Sequence, residues 1–194
     1  MRVAKEIRNT KETEVTVEIN LDATGVYKID TGIKFFDHML EQLACHSGFN
    51  LEITAKSLDG NAHHCVEDVG ITLGKCFLKA LGDKKGIQRY GEMTLPLDEA
   101  LVMSVVDISG RAFSKISLEL KDERTADFET VLVPHFFNSF AQNANIALHI
   151  RMLDGFDTHH IIEACFKSFA RALRAAVNIS DKDSGCIPST KGML

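Results

Sequence analysis

One short pattern is written twice in this chain, as His63-His64-Cys65-Val66-Glu67 and again 96 positions later as His159-His160-Ile161-Ile162-Glu163. In a sequence of 194 residues that spacing implies two halves of similar size, each building the same local element. Both copies open a stretch of helical periodicity. Val66, Val69, Gly70, Leu73, Phe77 and Leu81 share one face in the first, and Ile162, Phe166, Phe169, Leu173 and Val177 share one in the second. The ligand-type residues therefore stand in the first turns of two matched helices. Successive residues on a helix diverge by about 100°, so His63 and His64 are poorly placed to bind one ion together, while either can join Glu67 a turn further on. Adjacent histidines of this kind favour two metals, and an imidazole–carboxylate set without cysteine suits Mn, Fe or Zn. A single copy would equally suit a capped, solvated helix start; duplication at matched positions favours metal.

The surrounding chain repeats in the same order. Val15, Val17, Ile19 and Leu21 alternate with polar residues as a half-buried strand, and Val26–Ile29 is expected to return as its hairpin partner after the Ala23-Thr24-Gly25 turn. A helix from Phe35 ending at Gly48, a strand over 51–55 and the first His-His helix follow. In the second half, a strand over 101–108 and, after the Ser109-Gly110 turn, its returning strand over 112–118 precede a helix near Pro134, a strand over 147–151 and the second His-His helix. The expected architecture is α+β, a duplicated strands-helix-strand-helix unit with its two halves (1–86 and 87–194) packed together. Aligning the halves matches His38 with His135, which accounts for six of the eight histidines. His46 and His149 have no counterpart and read as surface or hydrogen-bonded residues.

A net charge of −5 argues against a nucleic-acid or anionic-membrane surface. No apolar run approaches the ~20 residues of a membrane span, and Met1-Arg2-Val3-Ala4-Lys5 lacks the apolar core of a signal peptide, so a cytoplasmic protein is expected. The five cysteines have no CxxC spacing and read as reduced, mostly buried residues.

Five motifs in order, Phe36-Asp37-His38-Met39-Leu40, His63-His64-x-x-Glu67-Asp68, Leu97-Asp98-Glu99-Ala100-Leu101, Asp154-Gly155 with His159-His160-Ile161-Ile162-Glu163-Ala164-x-Phe166-Lys167, and Pro188-Ser189-Thr190-Lys191-Gly192, resemble the imidazoleglycerol-phosphate dehydratase family. The resemblance implies a left-handed strand-helix-strand crossover in each half, two Mn(2+) ions per active site, and a homo-oligomeric shell of 24 subunits with sites between them. Carried over by position, it gives one ion His38, His64, Glu67 and His159, and the other His63, His135, His160 and Glu163. Each adjacent pair is then split between ions, as the helical geometry asks. Cys65, Ala112 and Asp157 depart from the family's common threonine, proline and asparagine.

The chemistry so implied is dehydration of D-erythro-imidazole glycerol phosphate, a step of histidine biosynthesis. Two cations holding the ring as imidazolate would help it expel the neighbouring hydroxyl as a diazafulvene forms, after which the adjacent proton is easier to remove. By resemblance Glu12 contacts substrate and is the first choice for proton transfer, with Glu163 second. Arg89, Arg111, Lys167, Ser189, Thr190 and Lys191 match phosphate-binding positions, and guanidinium forks suit a phosphate dianion. A dinuclear phosphoesterase and a metal-storage shell compete with this reading. The first lacks the usual bridging aspartates, and the second leaves the basic tail without a task.

Overall fold

Alternation along each strand decides which face is covered. In β2 (Thr13–Asn20), Val15, Val17 and Ile19 are buried while Thr16, Glu18 and Asn20 stay partly open. β1 (Val3–Asn9), β2, β3 (Tyr27–Asp30) and β4 (Asn50–Ser57) form a sheet in the order β1-β2-β4-β3, with α1 (Lys34–Ser47) and α2 (Ala62–Leu81). The second half repeats this plan. β5 (Tyr90–Leu97), β6 (Ala100–Asp107), β7 (Phe113–Ser117) and β10 (Ala147–Asp154) pair as β5-β6-β10-β7, with α3 (Leu132–Ala144) and α4 (Thr158–Val177). A small hairpin of β8 (Arg124–Thr125) and β9 (Phe128–Glu129) precedes α3. The computed structural model describes residues 1–180 and 185–194.

The expected hairpin of β2 with Val26–Ile29 does not form. β3 instead runs parallel to β4, Tyr27 opposite Leu51 and Asp30 opposite Thr54, at the sheet's edge. The reason lies in burial: β4 buries Leu51, Ile53 and Ala55 and pairs with β2 from Thr13↔Ser57 to Asn20↔Asn50, whereas β3 is short and mostly exposed. The better-patterned strand takes the centre. β7 likewise lies parallel to β10, so β3–α1–β4 and β7–α3–β10 are matched crossovers. β5 is absent from the expected strands, its alternation broken by Gly91 and Pro96; it sits at an edge, where proline is tolerated.

Helices of one half pack on helices of the other, α1 against α4 and α2 against α3. Phe36, Phe77, Phe136, Phe137, Phe140, Phe166 and Phe169 fill this seam, Phe136 stacking on Phe166 with centroids 5.3 Å apart. Gly70 and Gly74 let α2 approach α3 closely, since a Cβ at 74 would lie 2.6 Å from the Phe140 carbonyl oxygen. At Gly91 the fit is tighter: a Cβ there would fall 1.9 Å from the Ala172 oxygen of α4. Gly91→Ala must push β5 off α4, and it is expected to destabilise by about 3 kcal/mol or more, at the upper end of overpacking costs. Chemical denaturation measures this; a loss under about 0.5 kcal/mol would mean that β5 is free to shift.

Candidate functional site

The two His-His helices start alike. The Asn61 side chain accepts from the His63 backbone N–H at 3.0 Å, and that of Asp157 accepts from the His160 N–H at 3.1 Å, each as the helix N-cap. Asp157 thus has a structural task, and as an anion it also suits the positive end of α4. The caps fix the first turns, and the imidazoles project from there.

Contacts between the helices then assemble ligand groups. α1 brings His38 to α4, where His38 Nε2 and His159 Nε2 lie 3.3 Å and 3.1 Å from the same Glu163 oxygen. α3 brings His135 to α2, its ring 4.2 Å from that of His63 and its Nε2 3.8 Å from Glu67. His38, His159 and Glu163 form one close donor group, and His63, Glu67 and His135 another. The pairs His38–His159 and His63–His135 come together as the resemblance implies. Glu163 lies with the former and Glu67 with the latter, and among the described residues no close donor group mixes the two.

His64 and His160 each turn toward a carboxylate instead. His64 Nδ1 donates to Asp59 at 2.6 Å and His160 Nδ1 to Glu99 at 2.8 Å, an arrangement that fixes the tautomer and leaves Nε2 as the available donor. Sequence reasoning assigned neither acid. The available signal was position: Asp59 lies in the short loop between β4 and α2, and Glu99 lies in a motif already noted for its family likeness. These bonds push both imidazoles above their ordinary pKa. Glu99 falls to about 2 through His160 and the Asp157 N–H, and Asp59 is lowered first by the Asn61 N–H and then by His64. Glu12 joins this corner, its carboxylate 3.8 Å from His64 Nδ1.

The donor set fits a borderline divalent cation, and one atom asks for it. Among the described residues His135 Nε2 has no hydrogen-bond partner although it is buried, a desolvated lone pair or N–H of the kind that folded proteins rarely leave unused. On the other side, burial raises the Glu163 pKa, but Lys167 at 2.6 Å and the neighbouring histidines outweigh it and hold the carboxyl below its usual range. Glu163 is therefore anionic, as a ligand must be.

Arg89, Arg111, Ser189, Thr190 and Lys191 line one cleft. Arg89 is already committed there, paired with Asp107 at 2.8 Å and donating to the Pro188 carbonyl at 2.9 Å, so it holds the tail against the second sheet. Lys167 is not a lining residue of this cleft and pairs with Glu163. Burial pushes the thiols of Cys65 and Cys76 up to about 11 and about 12, which leaves both unreactive at neutral pH. Among the described residues no helix is long and apolar enough to cross a membrane.

A family model described as imidazoleglycerol-phosphate dehydratase matches residues 31–173. Proteins of that name from Azorhizobium caulinodans and a Thermoanaerobacter species are each 52% identical over 195 residues, covering 100% of this chain and 99% and 100% of theirs. Among solved structures, the Staphylococcus aureus imidazoleglycerol-phosphate dehydratase superposes with a TM-score of 0.84 at 38% identity, covering 92% of this chain and 99% of the other. The Pyrococcus furiosus structure, in complex with (S)-C348, gives 0.84 at 36% identity, covering 97% and 99%.

Proposed function

The chain belongs to the imidazoleglycerol-phosphate dehydratase family, and from that premise we propose that it converts D-erythro-imidazole glycerol phosphate to imidazole acetol phosphate and water, using two Mn(2+) ions per site. The observation that carries the reading is the division of ligands within one chain. Each implied ion set takes two residues from the α1–α4 corner (His38 and His159, or His160 and Glu163) and two from the α2–α3 corner (His64 and Glu67, or His63 and His135). One copy presenting the first corner to another copy's second corner completes both sets. This supports a homo-oligomer with sites between subunits, and a shell of 24 is the assembly proposed.

Bound there, the ions would supply Lewis acidity that stabilises the substrate ring as its anion. The protein's share is placement. Asp59 and Glu99 lock the rings of His64 and His160, Lys167 keeps Glu163 ionised and fixed, and Glu12 stands at the His64 corner to take the carbon-bound proton. Arg111, Lys191 and the Ser189 and Thr190 hydroxyls offer a phosphate dianion charge-assisted hydrogen bonds, while Arg89 anchors the tail that carries three of them.

Turnover of imidazole glycerol phosphate, assayed beside phosphate release and ion stoichiometry, tests the reading. Water loss with the phosphate ester retained supports it; phosphate release, or ion uptake without turnover, replaces it with the hydrolase or the storage protein. The carboxylate supports make a separate prediction. Asp59→Asn and Glu99→Gln should each weaken metal binding about 10- to 100-fold, the usual cost of losing a partner behind a ligating histidine. Competition with a fluorescent chelator reads this, and wild-type affinity in both variants would deny them that role.

A further inference from the structure

Two of the places where the halves differ touch one another. The first is the residue after the motif glutamate, Asp68 in half one and Ala164 in half two. The second is the hairpin turn between the first two strands of each half. Four residues, 10–13, separate the last paired positions Asn9 and Glu14, whereas only Asp98 and Glu99 separate Leu97 from Ala100. The longer turn carries Glu12.

Asp68 is 5% exposed, so its charge must be matched inside the protein. Its Oδ1 accepts from Arg8 Nε at 2.7 Å, and its Oδ2 accepts from the hydroxyl of the fully buried Thr13. Thr13 closes the turn: its carbonyl accepts from the Thr10 N–H at 2.9 Å, and its N–H donates to Thr10 Oγ1 at 3.0 Å. The same Thr10 hydroxyl accepts from the Glu12 N–H at 3.1 Å, and the Glu12 carbonyl accepts from the Leu58 N–H at 2.7 Å. The backbone of Glu12 is thus tied on both sides, while its side chain stays about half exposed beside His64. Asp68 is also one helical turn beyond His64 on the same face of α2.

We propose that Asp68 is a positioning residue for Glu12, its buried carboxylate using Thr13 and Arg8 to hold the extended β1–β2 turn against α2 so that Glu12 meets the substrate at the His64 corner. Half two needs no such anchor. Its shorter turn presents Glu99, which is engaged by the His160 ring. In half one Asp59 takes the task of holding the ring, which leaves Glu12 uncommitted. One duplicated scaffold thereby yields a ring-holding acid in one half and a substrate-facing acid in the other.

The proposal rests on Glu12 as the proton-transfer group, and the test separates the two ideas. In the metal-loaded, assembled enzyme, Thr13→Val removes one hydroxyl without changing the volume much. kcat should fall by up to about a hundredfold, the scale for displacing a reacting group by about 1 Å, with KM, ion content and particle size unchanged. Thr13→Ser should recover most of kcat. In a Glu12→Gln background, Thr13→Val should cost nothing further, because there is no longer a proton-transfer group to misplace. Asp68→Asn is read in the same way if Thr13→Val fails to fold. Wild-type kcat in Thr13→Val, or the same loss with and without Glu12, would overturn the positioning role while leaving the Glu12 assignment standing. An unchanged kcat in Glu12→Gln alone would overturn both.

Discussion

His64→Ala and His160→Ala are each expected to lower metal content from two ions per chain toward one and to reduce turnover at least about a thousandfold. The loss is large because a cation contributes several kcal/mol of charge stabilisation and each 1.4 kcal/mol is tenfold in rate. These two residues discriminate well for a structural reason. Their rings are pinned through Nδ1 by Asp59 and Glu99, so the Nε2 lone pair is the atom left to bind an ion. They also belong to different implied sets, so each variant should strip a different ion of the pair. Elemental analysis of purified protein gives the stoichiometry, and light scattering shows whether the particle shrinks with the loss of an ion, as it should if the proposed sites lie between copies. Two ions per chain in both variants would sink the dinuclear arrangement.

Where the chain was legible, a periodic signal and a chemical signal coincided. The His-His helices carry an apolar stripe and a ligand pair in one segment, and both run almost as read, from caps Asn61 and Asp157 to Gly82 and Asn178. α1 likewise ends at Gly48 in the left-handed region, φ 76°. Strand pairing was less legible because alternation reports which face is buried, not which neighbour lies alongside. Val26–Ile29 has a turn before it and suits a hairpin, yet the strongly patterned β4, which comes later in the chain, takes the place beside β2 and leaves β3 at the sheet's edge. The site divides in the same way. Spacing within one helix restricts which residues can share an ion, but the meeting of His38 with Glu163 and of His135 with Glu67 depends on the α1–α4 and α2–α3 packing. Asp59 and Glu99 were hidden for another reason: an acid in a turn has no pattern until the ring it holds is in place.

The same separation between a reacting end and an anchoring end should appear in the kinetics of Glu12→Gln and Lys191→Ala. Glu12 sits on a turn fastened at both of its peptide groups, with its carboxylate about half exposed and 3.8 Å from His64 Nδ1. The amide in Glu12→Gln keeps the shape and removes the base, so kcat should drop about 10²- to 10⁴-fold, the usual worth of a positioned proton-transfer group, with KM nearly constant. Lys191 lies in the tail cleft with Arg111 and Arg89, its own N–H donating to Ser189 Oγ at 3.2 Å. If Lys191 binds the phosphate as proposed, truncating it deletes one charge-assisted bond, a loss of about 1.5–3 kcal/mol, or roughly 10- to 150-fold in kcat/KM. Because phosphate is not the reacting group, that bond persists from ground state to transition state, and its removal should raise KM while sparing kcat. Steady-state kinetics on both variants decides the matter. If Lys191→Ala lowers kcat and leaves KM alone, the tail does more than hold the phosphate. If Glu12→Gln keeps a normal kcat, proton transfer passes to Glu163, whose ionised carboxylate at the α1–α4 corner is the next candidate.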